Sequence, residues 1–496
     1  MSTASQRLGL ASLGRVRAGG VPGYDPRAIE AGIVHLGVGA FFRAHQAAYT
    51  HELLQEGHHA WGICGFSQRS DTVPGQLAPQ DGLYSLLVRD AITAPRLQVM
   101  GALRDVRCAA HEPETVVEKI AAPSVHAVTL TVSEKGYRQD PATNGLRIDD
   151  EVAADLGGQP PRTVVGQLVR GLQRRRAGGG APIAIISCDN LTSNGAMLRR
   201  LVLDFVDRLP ATERGPLGDW IATQVAFPNT MVDRIVPATS ERDRAEVEEL
   251  MGLRDEGVVV AEPFTQWVIE DAFTGARPPW ELAGAVLTDD VERYERVKLR
   301  LLNAAHSLVA YLGVLMGHDT IAEAVADERI RGAVLRLLND DQIPTVTPPP
   351  DVDLSSYRDE VLHRFANPAL GHRTAQVAMD GSKKLPQRLL GALRQRRADG
   401  ALPRYGALLI AAWMRALSAE RADGSIADVG DPEGDTVRRL LASARNDHEA
   451  VRDVLGIRSV FGPDLSGDEE LVEAVAEFYT ALGRHGVDGA LRAVGG

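Results

Sequence analysis

In the stretch IVHLGVGAFFRAHQ, residues 33–46, an apolar run meets two glycines spaced G-x-G and passes straight into a helical pattern. A buried strand that turns sharply into a helix is the unit from which parallel sheets are wound. That unit recurs. Apolar, β-rich runs at 32–38 (GIVHLGV), 61–67 (WGICGFS), 124–132 (SVHAVTLTV) and 181–189 (APIAIISCD) alternate with helical segments such as TVVGQLVRGLQRRR at 163–176. The alternation predicts right-handed crossovers and a mainly parallel, doubly wound α/β sheet. MVDRIVP at 231–237 reads as another short strand, halted by Pro237.

Beyond about residue 288 long helical patterns take over, as in YERVKLRLLNAAHSLVAYLGVLMG (294–317) and YGALLIAAWMRALSAE (405–420). A chain of 496 residues exceeds one ordinary core. The expected division is a doubly wound α/β domain over 1–287 and a mainly α-helical domain over 288–496. The proline run at 348–350 reads as a loop within the second.

A formal net charge of −12, with basic residues only in short clusters such as RRR at 174–176, speaks against a nucleic-acid partner. The RRR cluster reads as the solvated end of a helix. No run of about 18 apolar residues suggests a membrane span, and the N-terminus lacks the apolar centre of a signal peptide. A cytoplasmic protein is expected. Cys64, Cys108 and Cys188 are far apart and read as reduced, mostly buried thiols, neither a disulfide framework nor a zinc site. The 13 histidines show no H-E-x-x-H or comparable spacing, so no metal is expected.

The first glycine loop sits where backbone N–H groups can hold a pyrophosphate. Gly37 permits the tight turn and Gly39 a close approach of phosphate. Val38, Ala40, Phe41, Phe42 and Arg43 complete the candidate loop, with Arg43 and the Phe41 ring expected to contact or flank the cofactor. Phe42 stands where the fingerprint G-x-G-x-x-G has its third glycine, and plain strand-to-helix punctuation explains the spacing about as well. The second strand ends in GFSQRSD. There Asp71 suits the adenosine ribose of NAD, while Arg69 leaves NADP possible.

KLRLLNAAHS, residues 298–307, places Lys298, Asn303 and His306 within an arc of about 140° on a regular helix, with Lys298 roughly 12 Å before His306. Such a set can bind a polyhydroxylated substrate and remove a proton, provided burial or nearby charge lowers the lysine pKa. An amphipathic helix with Lys298 in water is the plainer alternative. SCDN at 187–190 ends a parallel strand, where ligands bind. Asn190 can join Asn303 as an amide donor to an alkoxide-like oxygen, or it caps the next helix.

Together the stretches HLGVGAFFRAHQ, SCDN, FPNTMVDRIVP, EPFTQWVIED, KLRLLNAAHS and MDGSKKLPQR resemble the long-chain mannitol dehydrogenase family of polyol-specific dehydrogenases, in family order from about residue 33 to 388. The family loop is G-x-G-x-F-x-R, so the resemblance removes the need for a third glycine. It implies metal-free hydride transfer with NAD. Lys298 would be the general base, Asn190 and Asn303 would polarise the oxygen, and His306, Asp233 and Lys384 would position the substrate. Gln376 stands where mannitol-specific members carry arginine. The implied reaction is mannitol to fructose, with fructuronate reduction to mannonate as the alternative. The resemblance also implies a monomer, with a Rossmann-type dinucleotide-binding domain over 1–287, a mainly helical substrate and catalytic domain over 288–496 and the active site between them. Phe264, Gln266 and Trp267 read as packing. A non-catalytic NAD-sensing module fits the fold, but has no need of a lysine, two asparagines and a histidine converging on one site.

Overall fold

The computed structural model describes residues 6–141, 143–418 and 429–494. The chain divides between Val291 and Glu292, where the sequence reading put the boundary at 287.

The first unit carries the strands β1 (Ala31–Leu36), β2 (Gly62–Ser67), β3 (Tyr84–Val88), β4 (Arg96–Met100), β5 (Leu103–Cys108) and β6 (Ala127–Leu130). They are followed by β7 (Ile183–Ser187), β8 (Val225–Ala226), β9 (Thr230–Asp233), β10 (Val259–Ala261), β11 (Gln266–Glu270) and β12 (Val286–Thr288). The main sheet has the order β5-β2-β1-β6-β7-β8, and every pairing in it is parallel. This is the doubly wound order that reverses direction once, between β1 and β6. Ligands of open α/β sheets bind in the crevice beyond the strand C-termini at that reversal.

Period-two alternation sends the two faces of the sheet into separate cores. Val34, Leu36, Phe66, Val128 and Ile185 pack on one side, under the helices Pro113–Ala121, Val164–Ala177 and Asn194–Val206. Ile33, Ile63, Ala127 and Ile186 pack on the other, with Phe42, Trp267 and Trp280. The packing role expected of Trp267 is what it has, fully buried there.

Two expectations are adjusted. The segment at 231–237 does contain a strand, but β9 ends at Asp233, short of Pro237, and it pairs antiparallel with β11 in a separate sheet of order β12-β11-β9. The RRR cluster is only partly solvated. Arg175 is 2% exposed and donates to the carbonyls of Ile120, Ala122, Ala181 and Pro182, so it ties the helix end to two neighbouring loops. Arg174 and Arg176 face water.

The second unit is helical among its described residues. At its centre Ala304–Met316 packs on Arg404–Ser418 and on Thr374–Ala378, within a core that includes Leu308, Tyr311, Trp413 and Phe461. The helix expected at 405–420 is described to Ser418, and its last two positions lie outside the described residues. The helical run Val291–Met316 is long and apolar, but 72% of its most apolar window is buried within the protein, as befits a core helix.

Candidate active site

The crevice of the first unit is a cavity of about 500 Å³ lined by Gly37, Val38 and Gly39 after β1, Ser67–Ser70 after β2, and Thr131–Ser133 after β6. Gly37 has φ +103°, and a Cβ there would lie 2.1 Å from the Thr131 carbonyl oxygen, so only glycine fits. A Cβ on Gly39 would meet nothing within 4 Å, which leaves its backbone open to a ligand. Arg69, Lys135 and Arg162 also line the cavity and give it cationic walls suited to a pyrophosphate.

A residue that the sequence reading passed over organises this turn. His35 is fully buried at the end of β1, with Nδ1 2.8 Å from Thr129 Oγ1 and Nε2 3.0 Å from the Gly37 carbonyl. Burial pushes its pKa down to about 3, so it is neutral, a fixed hydrogen-bonding link between β1 and β6. Phe42 stacks on this imidazole with ring centroids 3.5 Å apart. The bulky side chain in place of the third glycine is therefore a packing group between helix and sheet.

The outer members of the expected loop are placed differently from the expectation. Phe42 and Arg43 do not line the cavity. Arg43 is 6% exposed; its Nη1 donates to the Gly257 carbonyl at 2.6 Å and its guanidinium lies over Tyr84, so burial commits it to holding the helix in place. Ala40 and Phe41 are half-buried, with Phe41 stacked on His45. Asp71 is exposed beside the crevice, with its carboxylate 3.1 Å from His111 Nδ1, whereas Gln68, Arg69 and Ser70 are the lining residues of that loop.

SCDN ends β7 as expected, and its four residues have unequal roles. Asp189 accepts from the backbone N–H groups of Val132 and Ser133 and from Tyr137 Oη, so it holds the β6 loop that walls the crevice. Asn190 is exposed. The N-cap position of the next helix is taken by Ser193. Asn194, fully buried, donates to the carbonyls of Ser187, Asp189 and Thr230 and accepts from Thr230 N–H. It thereby fixes the start of β9, which ends at the buried Asp233. Neither Asp189 nor Asn194 was singled out, although both flank the residue that was.

In the second unit the lysine helix is not uniformly α. Lys298–Asn303 forms a π segment between α-helical Val291–Val297 and Ala304–Met316. A π turn closes i→i+5 hydrogen bonds, which brings Lys298 and Asn303 onto one face and corrects the wide arc expected from a regular helix. All three residues are withdrawn from water: Lys298 is 6%, Asn303 5% and His306 9% exposed. The reading with Lys298 on a solvated face does not hold. His306 stacks on Phe365 and meets His372 edge-on. Burial above all, with smaller contributions from the neighbouring His372, Arg388, Lys384 and Arg364, drives its pKa well below the usual imidazole value and keeps it neutral.

Two polar atoms of this cluster, Asn303 Nδ2 and His306 Nε2, are buried without a hydrogen-bond partner among the described residues. Leaving such atoms unpaired costs roughly 1–3 kcal/mol each, which a substrate hydroxyl would relieve. Lys384 donates to the Val377 carbonyl at 3.1 Å, and burial with Arg388 nearby brings its pKa down to about 8. Arg388, another residue without an expected role, donates to Ser307 Oγ at 2.9 Å and to the Asn303 carbonyl at 3.3 Å. Gln376 is exposed on the short helix Thr374–Ala378.

One cluster of metal-ligating side chains stands out among the described residues, Asp71, Cys108 and His111, all in the first unit.

Family profiles described as the mannitol dehydrogenase Rossmann domain and the mannitol dehydrogenase C-terminal domain match residues 31–282 and 290–483. The chain is 38% identical to D-mannonate oxidoreductase of Escherichia coli, over 94% of this chain and 96% of that one. It is 37% identical to mannitol 2-dehydrogenase of Phaeosphaeria nodorum, over 97% and 84%. Among solved structures, the Pseudomonas fluorescens mannitol 2-dehydrogenase in ternary complex with NAD and D-mannitol superposes with a TM-score of 0.88 at 33% identity, covering 99% of each chain. The two profiles, together with relatives of this identity matched along nearly their whole length, establish that the chain belongs to the mannitol dehydrogenase family of oxidoreductases.

Proposed function

We propose that the protein is an NAD-dependent dehydrogenase that interconverts a secondary alcohol of a linear sugar alcohol and the corresponding ketose, with mannitol and fructose as the pair. The observation that carries this reading is the buried, neutral hydrogen-bonding set beside Lys298. Asn303 Nδ2 and His306 Nε2 have no partner among the described residues, whereas the nearby cations Lys384 and Arg388 already donate to the protein's own oxygens. Unsatisfied neutral groups suit hydroxyls.

The crevice residues Gly37, Val38 and Gly39, with Arg69 and Lys135 in its walls, suit a dinucleotide phosphate chain, and Asp71 is the proposed reader of the adenosine ribose. When bound, NAD supplies the acceptor of the hydride from the carbinol carbon. Lys298, in its neutral amine form, takes the hydroxyl proton as that hydride leaves. Asn303 donates to the oxygen as it gains alkoxide character, a role also proposed for Asn190. His306 orients a neighbouring hydroxyl, and Asp233, Lys384 and Gln376 are proposed to bind the remainder of the substrate. Each role is open to single substitution.

A second reading, reduction of fructuronate, draws on the positive field that His306 experiences from Arg388, Lys384 and Arg364, which would favour a carboxylate. Measuring kcat/KM for fructose and fructuronate with NADH separates the two. Preference for fructose supports the polyol reading, and a hundredfold preference for fructuronate replaces it.

A further inference from the structure

We propose that Asp71, Cys108 and His111 form a three-ligand site for a thiophilic divalent cation of the zinc class, at the rim of the crevice in the first unit. One ligand atom from each side chain lies within 4.8 Å of the other two. The tightest approach is already close: His111 Nδ1 is 3.1 Å from Asp71 Oδ2. Tetrahedral zinc with Zn–S of about 2.3 Å and Zn–N or Zn–O of about 2.0–2.2 Å needs its ligands about 3.3–3.6 Å apart. The two exposed side chains have the freedom to make that small adjustment.

The backbone presets the site. β5 ends at Cys108, and the N–H groups of His111 and Glu112 both donate to the Cys108 carbonyl, closing a turn that carries a C-A-A-H sequence. The Ala109 N–H donates to the Ser67 carbonyl at 2.8 Å, which pins this turn to the loop after β2 that bears Asp71. The neighbouring acids are engaged elsewhere, since Asp105 and Glu112 both pair with Arg107 at 2.6 Å. Cys108 is 4% exposed and forms the inner wall, while the Asp71 and His111 side chains are more than half exposed and form the outer one. A thiolate, a carboxylate and a neutral imidazole balance a divalent charge and leave a fourth position for water. Sulfur among the ligands selects the zinc class over magnesium or calcium.

An occupied site would clamp the loop whose residues Gln68, Arg69 and Ser70 line the crevice, and would engage Asp71. Zinc is then expected to weaken dinucleotide binding several-fold. That consequence rests on the proposed function; metal binding itself does not.

Cobalt(II) titration of the metal-stripped full-length protein tests the site without any dinucleotide. One equivalent is expected to produce a sulfur-to-cobalt charge-transfer absorption, displaced by zinc. The band is expected to vanish in Cys108→Ser and the affinity to fall at least about tenfold in His111→Ala, a surface change that spares the core. Cys64 and Cys188 are buried elsewhere, so the band reports Cys108. Absence of the band in the unaltered protein, or an unchanged titration in His111→Ala, overturns the proposal. If cobalt binds as described but zinc leaves NAD affinity unchanged, the metal site stands and its link to the dinucleotide falls.

Discussion

Gly37 and Gly39 stand two residues apart, yet they are required for different physical reasons, and substitution of each by alanine separates them. At Gly37 the new Cβ would sit 2.1 Å from the Thr131 carbonyl oxygen at a backbone φ of +103°. An ordinary contact needs about 1 Å more, so β1 and β6 must part where His35 and Thr131 join them. Holding a side chain in that backbone region costs about 1–3 kcal/mol, and relieving the overlap costs a similar amount. Gly37→Ala is therefore expected to destabilise the protein by roughly 2–6 kcal/mol. At Gly39 φ is −80° and the new methyl meets nothing, so stability is expected to change by less than about 0.5 kcal/mol. The methyl would occupy space proposed for the pyrophosphate, and the Kd for NAD is expected to rise at least tenfold, about 1.4 kcal/mol. Urea unfolding and NAD titration by tryptophan fluorescence measure both quantities. Unchanged stability in Gly37→Ala would refute the steric account of the turn, and an unchanged Kd in Gly39→Ala would show that the phosphates do not pass over it.

Lys298→Ala is expected to lower turnover at least about a hundredfold while NAD still binds, because only the proton acceptor is lost; near-normal turnover in the folded variant would remove Lys298 from the role. Asp71→Ala is expected to shift the kcat/KM ratio toward NADP by relieving repulsion of the 2′-phosphate, and an unchanged ratio would move cofactor reading to Arg69. Asp341, 4% exposed, accepts from the Gly406 N–H at the start of Arg404–Ser418, and burial pushes its pKa up to about 7. The folded state then holds a proton that the unfolded chain has released above pH ~4. Stability attributable to Asp341 accordingly falls as pH rises from ~4 to ~7, by at most about 1.4 kcal/mol per pH unit. Asp341→Asn is expected to flatten that slope in urea midpoints taken at pH 5 and pH 7, and parallel slopes would count against the assignment.

Most of the parallel sheet was legible because a strand buried on both faces shows itself as an unbroken apolar run, as at 32–38 and 181–189. The partner of a strand is not written in its own sequence, so TMVD could be recognised as a strand but not assigned to the antiparallel sheet with β11. Arg43 looked available because charged side chains usually are, yet its acceptor, the Gly257 carbonyl, is distant in sequence. His35 was hidden inside a run read for its apolar neighbours. Lys298, Asn303 and His306 were visible as a constellation, but the π segment that aligns them leaves no mark on apolar spacing. Asp71 was legible as a candidate cofactor residue, while its approach to Cys108 and His111 depends on the β2–β5 register.

The π segment also sets the helix's tolerance to length change. Without the wide turn, the helix on either side of Lys298–Asn303 would keep its hydrogen bonds but lose their relative phase. Deleting one residue between Lys298 and Asn303 would restore a plain α-helix, which by backbone criteria is the more regular structure. Lys298 and Asn303 would then be four steps of about 100° apart, an i,i+4 pair, so the lysine would stay on the face of Asn303 and His306. A single-codon deletion here would thus leave a well-formed helix with the lysine on its original face. Straightening the segment at constant length is what would misalign it, because five steps of a plain α-helix put Lys298 about 140° from Asn303.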